Sequence, residues 1–403
     1  MAKRKKIPPP DFETLMPLLV GIWRKINQES GPLDRLLTRE FRSLVSVVEK
    51  LDGWTQLKPP TEFPATPWYE DKKQFSAYLL YHFVMHYLEG RSLIGELEQT
   101  PDRVLDISKG AAPFALAALE MGANVVTALD RSTLGLKIGS EISGRLGHAL
   151  SLRQLDTSKL ERDLESKAFL LELDHLLYQE EPYDLIIAGH IFSDLFRAHP
   201  NEAQALESDV VNYLMGKLAP NGRLLIVESS HQAFNHRLLS LRDGLLDQGY
   251  SIEAPCIFRG KCPALAAKSL CFAQRAFEKP YLIKEIQRAA SIHLDSLKMS
   301  YLIIKNEAGL PLQEGAYRVI SPRLEGPGTS KYYLCGGDGK KTLEMDLKET
   351  PIKAKAFDFL KRGDVVLVKN GAIYKNRIVL EQDSELTVEA AAGKPIANKL
   401  RVI

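Results

Sequence analysis

The stretch Arg103-Val104-Leu105-Asp106-Ile107-Ser108-Lys109-Gly110-Ala111-Ala112 decides the fold. A short apolar strand runs into a turn of small residues, and an apolar helix over 114–121 follows. The next strand, 124–129, ends at Asp130, and helical spacing resumes over 134–146. The same alternation continues with a strand at 184–188, a helix at 209–218 stopped by Pro220-Asn221-Gly222, a strand at 223–228 and a helix at 234–248. Residues 251–258 and 298–305 read as two final strands. Short apolar strands separated by helices predict an α/β fold with a doubly wound, mostly parallel sheet.

Upstream, Phe12, Leu15, Leu18, Leu19, Ile22 and Trp23 recur at helical spacing. Gly31-Pro32 breaks the pattern, and Leu36, Leu37, Phe41, Leu44, Val47 and Val48 form a second stripe. Residues 52–68, with Pro59-Pro60, Pro64 and Pro67, read as a loop. A third helical stretch covers 69–97 and carries His82 and His86, four apart on one face. A metal pair is conceivable there. However, Phe83 stands where a zinc-protease helix carries its Glu, so these read as core or surface histidines. From about residue 315 the character changes to short strands at 365–368, 377–380 and 385–388 punctuated by Gly and Asn, which predicts a small β-barrel or sandwich.

In a doubly wound sheet the ligand lies beyond the carboxyl ends of the strands, at the turn after 103–107. Asp106, Ser108 and Gly110 are candidates there, because small residues let backbone approach a ligand closely. Asp130, 20 residues after Gly110, can accept hydrogen bonds from ribose hydroxyls, with Arg131 beside it. Asp156 is placed for an adenine, and Gly189-His190-Ile191-Phe192-Ser193-Asp194 would line the outer side of the pocket. This order resembles the S-adenosylmethionine-dependent methyltransferase fold over about residues 101–306, and the resemblance implies a seven-stranded Rossmann-like sheet and that cofactor. Two of the three glycines usual in the first loop are Ser108 and Ala112 here. Catalytic residues are not identifiable. The loop Ala188-Gly189-His190-Ile191 lacks an Asn/Asp-Pro-Pro-aromatic motif, and no cysteine precedes Cys256 to attack a cytosine. His190 is either a general base or a pocket-lining residue.

All four cysteines lie late in the chain: Cys256, Cys262, Cys271 and, 63 intervening residues later, Cys335. Four thiolates bind tetrahedral zinc or an iron–sulfur cluster. Zinc ribbons use Cys-x2-Cys knuckles, which are lacking, so the wider spacing leans toward the larger inorganic core. Pro255 and Pro263 would stiffen the loops, and Lys261, Lys268 and Arg275 would offset cluster charge. Ala254-Pro255-Cys256, Lys261-Cys262-Pro263, Cys271-Phe272 and Leu334-Cys335 resemble the methyltransferase-like proteins associated with the mitochondrial small ribosomal subunit and their bacterial relatives. Residues 298–304 fit that family's last strand, and Phe359-Leu360-Lys361-Arg362-Gly363-Asp364 fits its C-terminal landmark, with Arg362 where Trp is common. The resemblance implies a 4Fe-4S cluster on the four cysteines and binding to ribosomal RNA in small-subunit assembly or translation. Zinc ligation, and active RNA methylation, are the alternatives.

Charge agrees with a polyanion partner. The formal net charge of +2 hides four basic residues and no acid in 1–10, 24 basic against 35 acidic in 11–255, and 25 against 16 in 256–403. No apolar run reaches about 18 residues, and no apolar core follows the basic start, so neither a membrane span nor a secretory signal is read. Cytoplasmic localisation, a monomer and no membrane partner are the expectations. The expected organisation is a helical region at 1–98, a methyltransferase-like domain at 99–310 with a cluster insertion at 254–280, and a β-rich domain at 311–403 that contributes the fourth cysteine.

Overall fold

The computed structural model describes residues 9–55, 69–155, 166–192, 203–306, 312–346, 351–396 and 400. The basic segment 1–8, Asp156, and Ser193-Asp194 lie outside the described residues. Four helices open the chain: α1 (Phe12–Asn27), α2 (Thr38–Thr55), α3 (Lys72–Leu80) and α4 (His82–Ile94). The helical stretch at 69–97 is thus two helices, broken at Tyr81 (φ −123°, ψ −70°). Asp11 and Asp71 cap α1 and α3, each accepting a backbone N–H three residues on. Arg24 of α1 and Glu40 of α2 form a buried ion pair at 2.7 Å, and Arg24 holds the Glu40 carboxyl below its ordinary range.

The central elements follow as β1 (Arg103–Asp106), α5 (Pro113–Glu120), β2 (Val125–Asp130), α6 (Thr133–Arg145), β3 (Ser151–Gln154), α7 (Ser166–Leu176), β4 (Tyr183–Gly189), α8 (Ala203–Met215), β5 (Leu218–Ser229), α9 (Gln232–Asp247), β6 (Ser251–Ala254), β7 (Ala273–Arg275), α10 (Tyr281–Ala289) and β8 (Leu297–Lys305). The strand order is β3-β2-β1-β4-β5-β8-β6, with β7 also on β8. The five strands β1 to β5 run parallel, and β8 pairs antiparallel with β5, β6 and β7. This is the expected doubly wound, methyltransferase-like sheet. Two departures stand out. The strand β5 begins at Leu218, but its pairing with β4 jumps from Leu218 to Arg223, so Pro220-Asn221-Gly222 form an unpaired irregularity inside the strand rather than a break before it. The strand expected at 251–258 stops at Ala254; β6 and β7 share one edge of β8, and the 18 residues between them leave the sheet.

Apolar layers cover both faces, as a parallel sheet requires. One layer joins Leu19, Trp23, Phe75 and Phe83 of the N-terminal helices to Phe114, Val104 and Ile303. The other joins Leu105, Phe169, Val211, Leu241 and Ile304.

A second sheet of eight strands follows: β9 (Ala316–Val319), β10 (Leu324–Gly326), β11 (Thr329–Gly336), β12 (Gly339–Asp346), β13 (Val365–Lys369), β14 (Ala372–Tyr374), β15 (Arg377–Leu380) and β16 (Glu385–Ala390). The three strands expected there are present at β13, β15 and β16. Rather than a barrel or sandwich, the pairing path β14-β15-β12-β11-β9-β13-β16 is one open sheet among the described residues. Its longest pairing, the hairpin β11–β12, buries Tyr332, Leu334, Leu343 and Met345 against Phe357.

Candidate functional site

The chain goes from β1 to β2 and β3 on one side and returns through β4 and β5 on the other, so β1 and β4 bound the topological switch point. The first loop lies at its mouth. Gly110, Ala111 and Ala112 have φ of 88°, 63° and 58°, three consecutive left-handed residues, two of which carry a side chain. Such backbone persists only where surroundings over-determine it. Here the surroundings are two buried carboxylates. Asp106 accepts from Ser108 N at 2.8 Å and Ala115 N at 2.7 Å. Asp130 accepts from Gly110 N at 3.0 Å and Ala111 N at 3.1 Å on one oxygen, and from Ser132 N at 3.0 Å on the other. Burial pushes the Asp106 carboxyl up to about 6, against the pull of its amide donors, and raises Asp130 as well. The Ser108 hydroxyl hydrogen-bonds the Asp106 carboxylate, and its Oγ accepts Gly189 N–H at 2.8 Å. Arg131 stacks over Tyr69 at 4.0 Å.

Behind the loop stands a wall of aromatic rings. The Tyr78 hydroxyl donates to Lys109 O at 3.2 Å and meets His86 Nδ1 at 3.1 Å. A Cβ on Gly110 would lie 2.3 Å from that hydroxyl. The His86 ring stacks on His190 at 4.2 Å, and His190 Nε2 lies 2.8 Å from Glu89 Oε2. Burial pushes His82 down to about 3 and His86 well below its ordinary value. The structure therefore brings Asp106, Ser108, Gly110, Asp130 and His190 to one crevice and adds Tyr78, His86 and Glu89 from the helical region. Glu89, three residues after His86 on the same helix face, was the legible signal not used.

The four cysteines occupy the second site. Cys256, Cys271 and Cys335 line one cavity with Arg275, Arg318 and Arg362, between the split edge of the first sheet and the second sheet. Cys262 packs beside Cys271 against Leu239. One face of α9 organises this loop: Asn235 bridges Cys271 O at 2.6 Å and Cys271 N at 3.2 Å, Arg242 donates to Phe258 O and Gly260 O, and Asp243 accepts Cys262 N at 3.0 Å. Burial and the charge of the neighbouring cysteines push Cys335 up to about 12 and raise Cys271 further; burial raises Cys256, which Arg242 opposes. All four are free thiols, and no three of their sulfurs lie within 4.8 Å of one another.

The charge complement differs from the sequence expectation. Lys261 is exposed and pairs with Asp247, while Lys268 faces solvent. Of the three expected cations Arg275 alone lines the cavity, and it is joined by Arg242, Arg318 and Arg362: Arg242, Arg275 and Arg318 are buried at 1%, 5% and 6% exposure, and Arg362 stacks over Phe272 at 4.2 Å. Their Nε atoms, and Nη1 of Arg362, are buried without a hydrogen-bond partner.

The strand order and the loop at its switch point define a methyltransferase-like α/β protein. The chain belongs to the mitochondrial small ribosomal subunit Rsm22 family, whose family model matches residues 73–377. Among solved structures, the chain is similar to the ribosomal protein L11 methylase of Lactobacillus delbrueckii subsp. bulgaricus (13% identity, 56% of this chain and 78% of that one, TM-score 0.31). It is likewise similar to the B. subtilis M1A22 tRNA methyltransferase TrmK (12%, 55% and 65%, TM-score 0.30) and the 16S rRNA methylase RmtB (14%, 73% and 93%, TM-score 0.32). No curated protein sequence matches the chain. No helix among the described residues is long and apolar enough to cross a membrane.

Proposed function

We propose that this protein associates with the small ribosomal subunit and binds its RNA, using a methyltransferase-like scaffold whose four cysteines hold a 4Fe-4S cluster. The observation that carries the cluster reading is the arginine shell. Arg275, which also pairs with Glu96, lines the cavity of Cys256, Cys271 and Cys335 together with Arg318 and Arg362, and Arg242, which also pairs with Asp243, adjoins Cys256. Each has a buried N–H without a partner, and a buried charge is costly unless opposed. Thiolates must be deprotonated to bind metal, and the arginines oppose the negative charge that creates. Tetrahedral zinc, with Zn–S near 2.3 Å, would need sulfurs about 3.8 Å apart. No three of the four sulfurs are that close, so the arrangement does not match a tetrahedral zinc site.

When bound, the cluster supplies a cross-link of four Fe–S bonds between segments distant in sequence. The chain's own residues do the rest. The α9 face presets the loop 256–271, and Cys335 comes from β11 of the second sheet. The cross-link thereby sets the C-terminal sheet against the first one. That sheet and its neighbouring 3-10 turn carry exposed Lys355 and Lys361 around an exposed Phe359, and exposed Lys375 next to Tyr374. Cations interleaved with aromatic rings suit a nucleic-acid backbone with unstacked bases.

The residues present fit S-adenosylmethionine poorly. Asp130 spends its oxygens on three backbone amides in a residue 4% exposed, so a ribose would have to displace the loop. We derive no methyl-transfer step. In this reading, Asp106, Ser108, Gly110 and Asp130 hold the loop, and Asp156 and Arg131 are left without an assigned part in binding.

The test is co-sedimentation of the anaerobically purified full chain with small-subunit particles. The reading predicts binding that weakens steeply as salt rises and is reduced in Cys262→Ser. Absence of binding at low salt would overturn it.

A further inference from the structure

The feature that this reading leaves unused is the cluster at the switch point. His86 and Glu89 sit on adjacent turns of one α4 face, three residues apart. His190 follows β4 directly, with φ of 55° and its N–H donated to Val227 O at 2.7 Å, so β5 fixes its backbone. One ligand atom from each of the three side chains lies within 4.8 Å of the other two, and this is the only such group among the described residues. Glu89 and His190 are buried, and His86 is partly exposed and marks the way in.

Hydrogen accounting sets the ligand atoms. A phenol has one proton, and Tyr78 gives it to the carbonyl of Lys109, which can only accept. Tyr78 therefore accepts from His86 Nδ1–H at 3.1 Å, and His86 Nε2 carries the lone pair. This is the arrangement in which an outer partner fixes the tautomer of a metal-ligating histidine. Across the stack, a carboxylate oxygen and an imidazole nitrogen stand 2.8 Å apart and share one proton. Two imidazoles and a carboxylate thus converge on a place held by a single positive particle.

We propose that His86, Glu89 and His190 bind one divalent first-row cation of the Mn2+, Fe2+ or Zn2+ kind at the switch point. Two nitrogens and a carboxylate suit these ions and leave coordination positions for water or a substrate oxygen. The cation replaces the proton between Glu89 and His190, which leaves to solvent. Ligand atoms about 2.1 Å from a tetrahedral ion lie about 3.4 Å apart, so the site forms by rotating the two imidazoles out of their 19° stack rather than by moving backbone. The site does not depend on the cysteines.

The experiment titrates Mn2+ into the full chain and follows the EPR signal of the free ion. Mn2+ prefers nitrogen and oxygen ligands to thiolates, which keeps the cysteine site out of the readout. The expected result is one ion per chain for the wild type and for Cys262→Ser. Glu89→Gln, which keeps the size of the side chain, and His190→Ala abolish binding. Tyr78→Phe, which removes only the orienting hydroxyl, weakens it about 10- to 100-fold. No uptake by the wild type, uptake unchanged in Glu89→Gln and His190→Ala, or uptake lost in Cys262→Ser overturns the proposal.

Discussion

Arg318 on β9 and Cys335 on β11 stand directly opposite one another across an antiparallel pair, so their side chains leave the same face of the second sheet. Both line the cavity that Cys256 and Cys271 reach from the split edge of the first sheet. A cation and a thiol held side by side and buried form a pair whose value depends on what the thiol becomes. With the thiol neutral, the guanidinium is an unopposed charge. With the thiolate bound to a cluster, it is a counter-ion.

That dependence gives a prediction of opposite signs. Arg362 is half-buried, has two buried N–H groups without partners, stacks on Phe272 and lines the same cavity as Cys271. Replacing it by Leu leaves the cluster-free protein within about 1 kcal/mol of the wild type, or more stable, because an uncompensated charge is removed. The same change makes the loaded protein lose its visible absorbance faster in air. Thermal melts of the cluster-free form and bleaching rates of the loaded form check the two halves.

The role of Asp130 is separable in the same way. An amide nitrogen cannot accept a hydrogen bond, so Asp130→Asn leaves at least one of three backbone N–H groups unsatisfied and costs about 1–3 kcal/mol. Calorimetry with S-adenosylmethionine should show little or no heat in either protein. A variant of unchanged stability with a large loss of cofactor affinity would give Asp130 back to the ribose.

Asp106 makes stability depend on pH. Its folded carboxyl titrates at about 6 against 3.8 unfolded. The folded state therefore holds a proton that the unfolded state releases between those values. Stability falls as pH rises from about 4 to about 6, by at most about 3 kcal/mol, and is flat beyond. Urea unfolding across that range should show the fall in the wild type, and Asp106→Asn should lack that component.

Gly110 is the tightest point of the first loop. Alanine there must hold φ of 88° and place a Cβ 2.3 Å from the Tyr78 hydroxyl. The left-handed backbone alone costs about 1–3 kcal/mol, and displacing Tyr78 also breaks its bonds to Lys109 and His86. Gly110→Ala should lower the unfolding midpoint and also weaken Mn2+ uptake.

The alternation from 103 to 248 made β1, β2, β4 and β5 legible, because each carries a short apolar run, whereas β3, Ser151-Leu152-Arg153-Gln154 at an exposed edge, has no such run and carries no strand signal. The cysteine set was legible because all four lie past residue 255. The arginine shell was not: Arg242, Arg318 and Arg362 are scattered among ordinary surface-like residues, and only the fold shows that they converge. The hairpin β11–β12 carried a usable signal in the alternation of Tyr332 and Leu334 with Lys331 and Tyr333, which period-2 reading detects. The split between β6 and β7 did carry a local mark that went unused, since Pro255, which cannot donate to a strand ladder, directly follows Ala254.

Iron and acid-labile sulfide in protein purified without oxygen test the central claim most directly. The account predicts a brown protein with about four irons and four sulfides per chain, both lost in Cys262→Ser, as four-cysteine ligation of a cubane cluster requires. A colourless protein with one zinc, or with no metal on the cysteines, would contradict it.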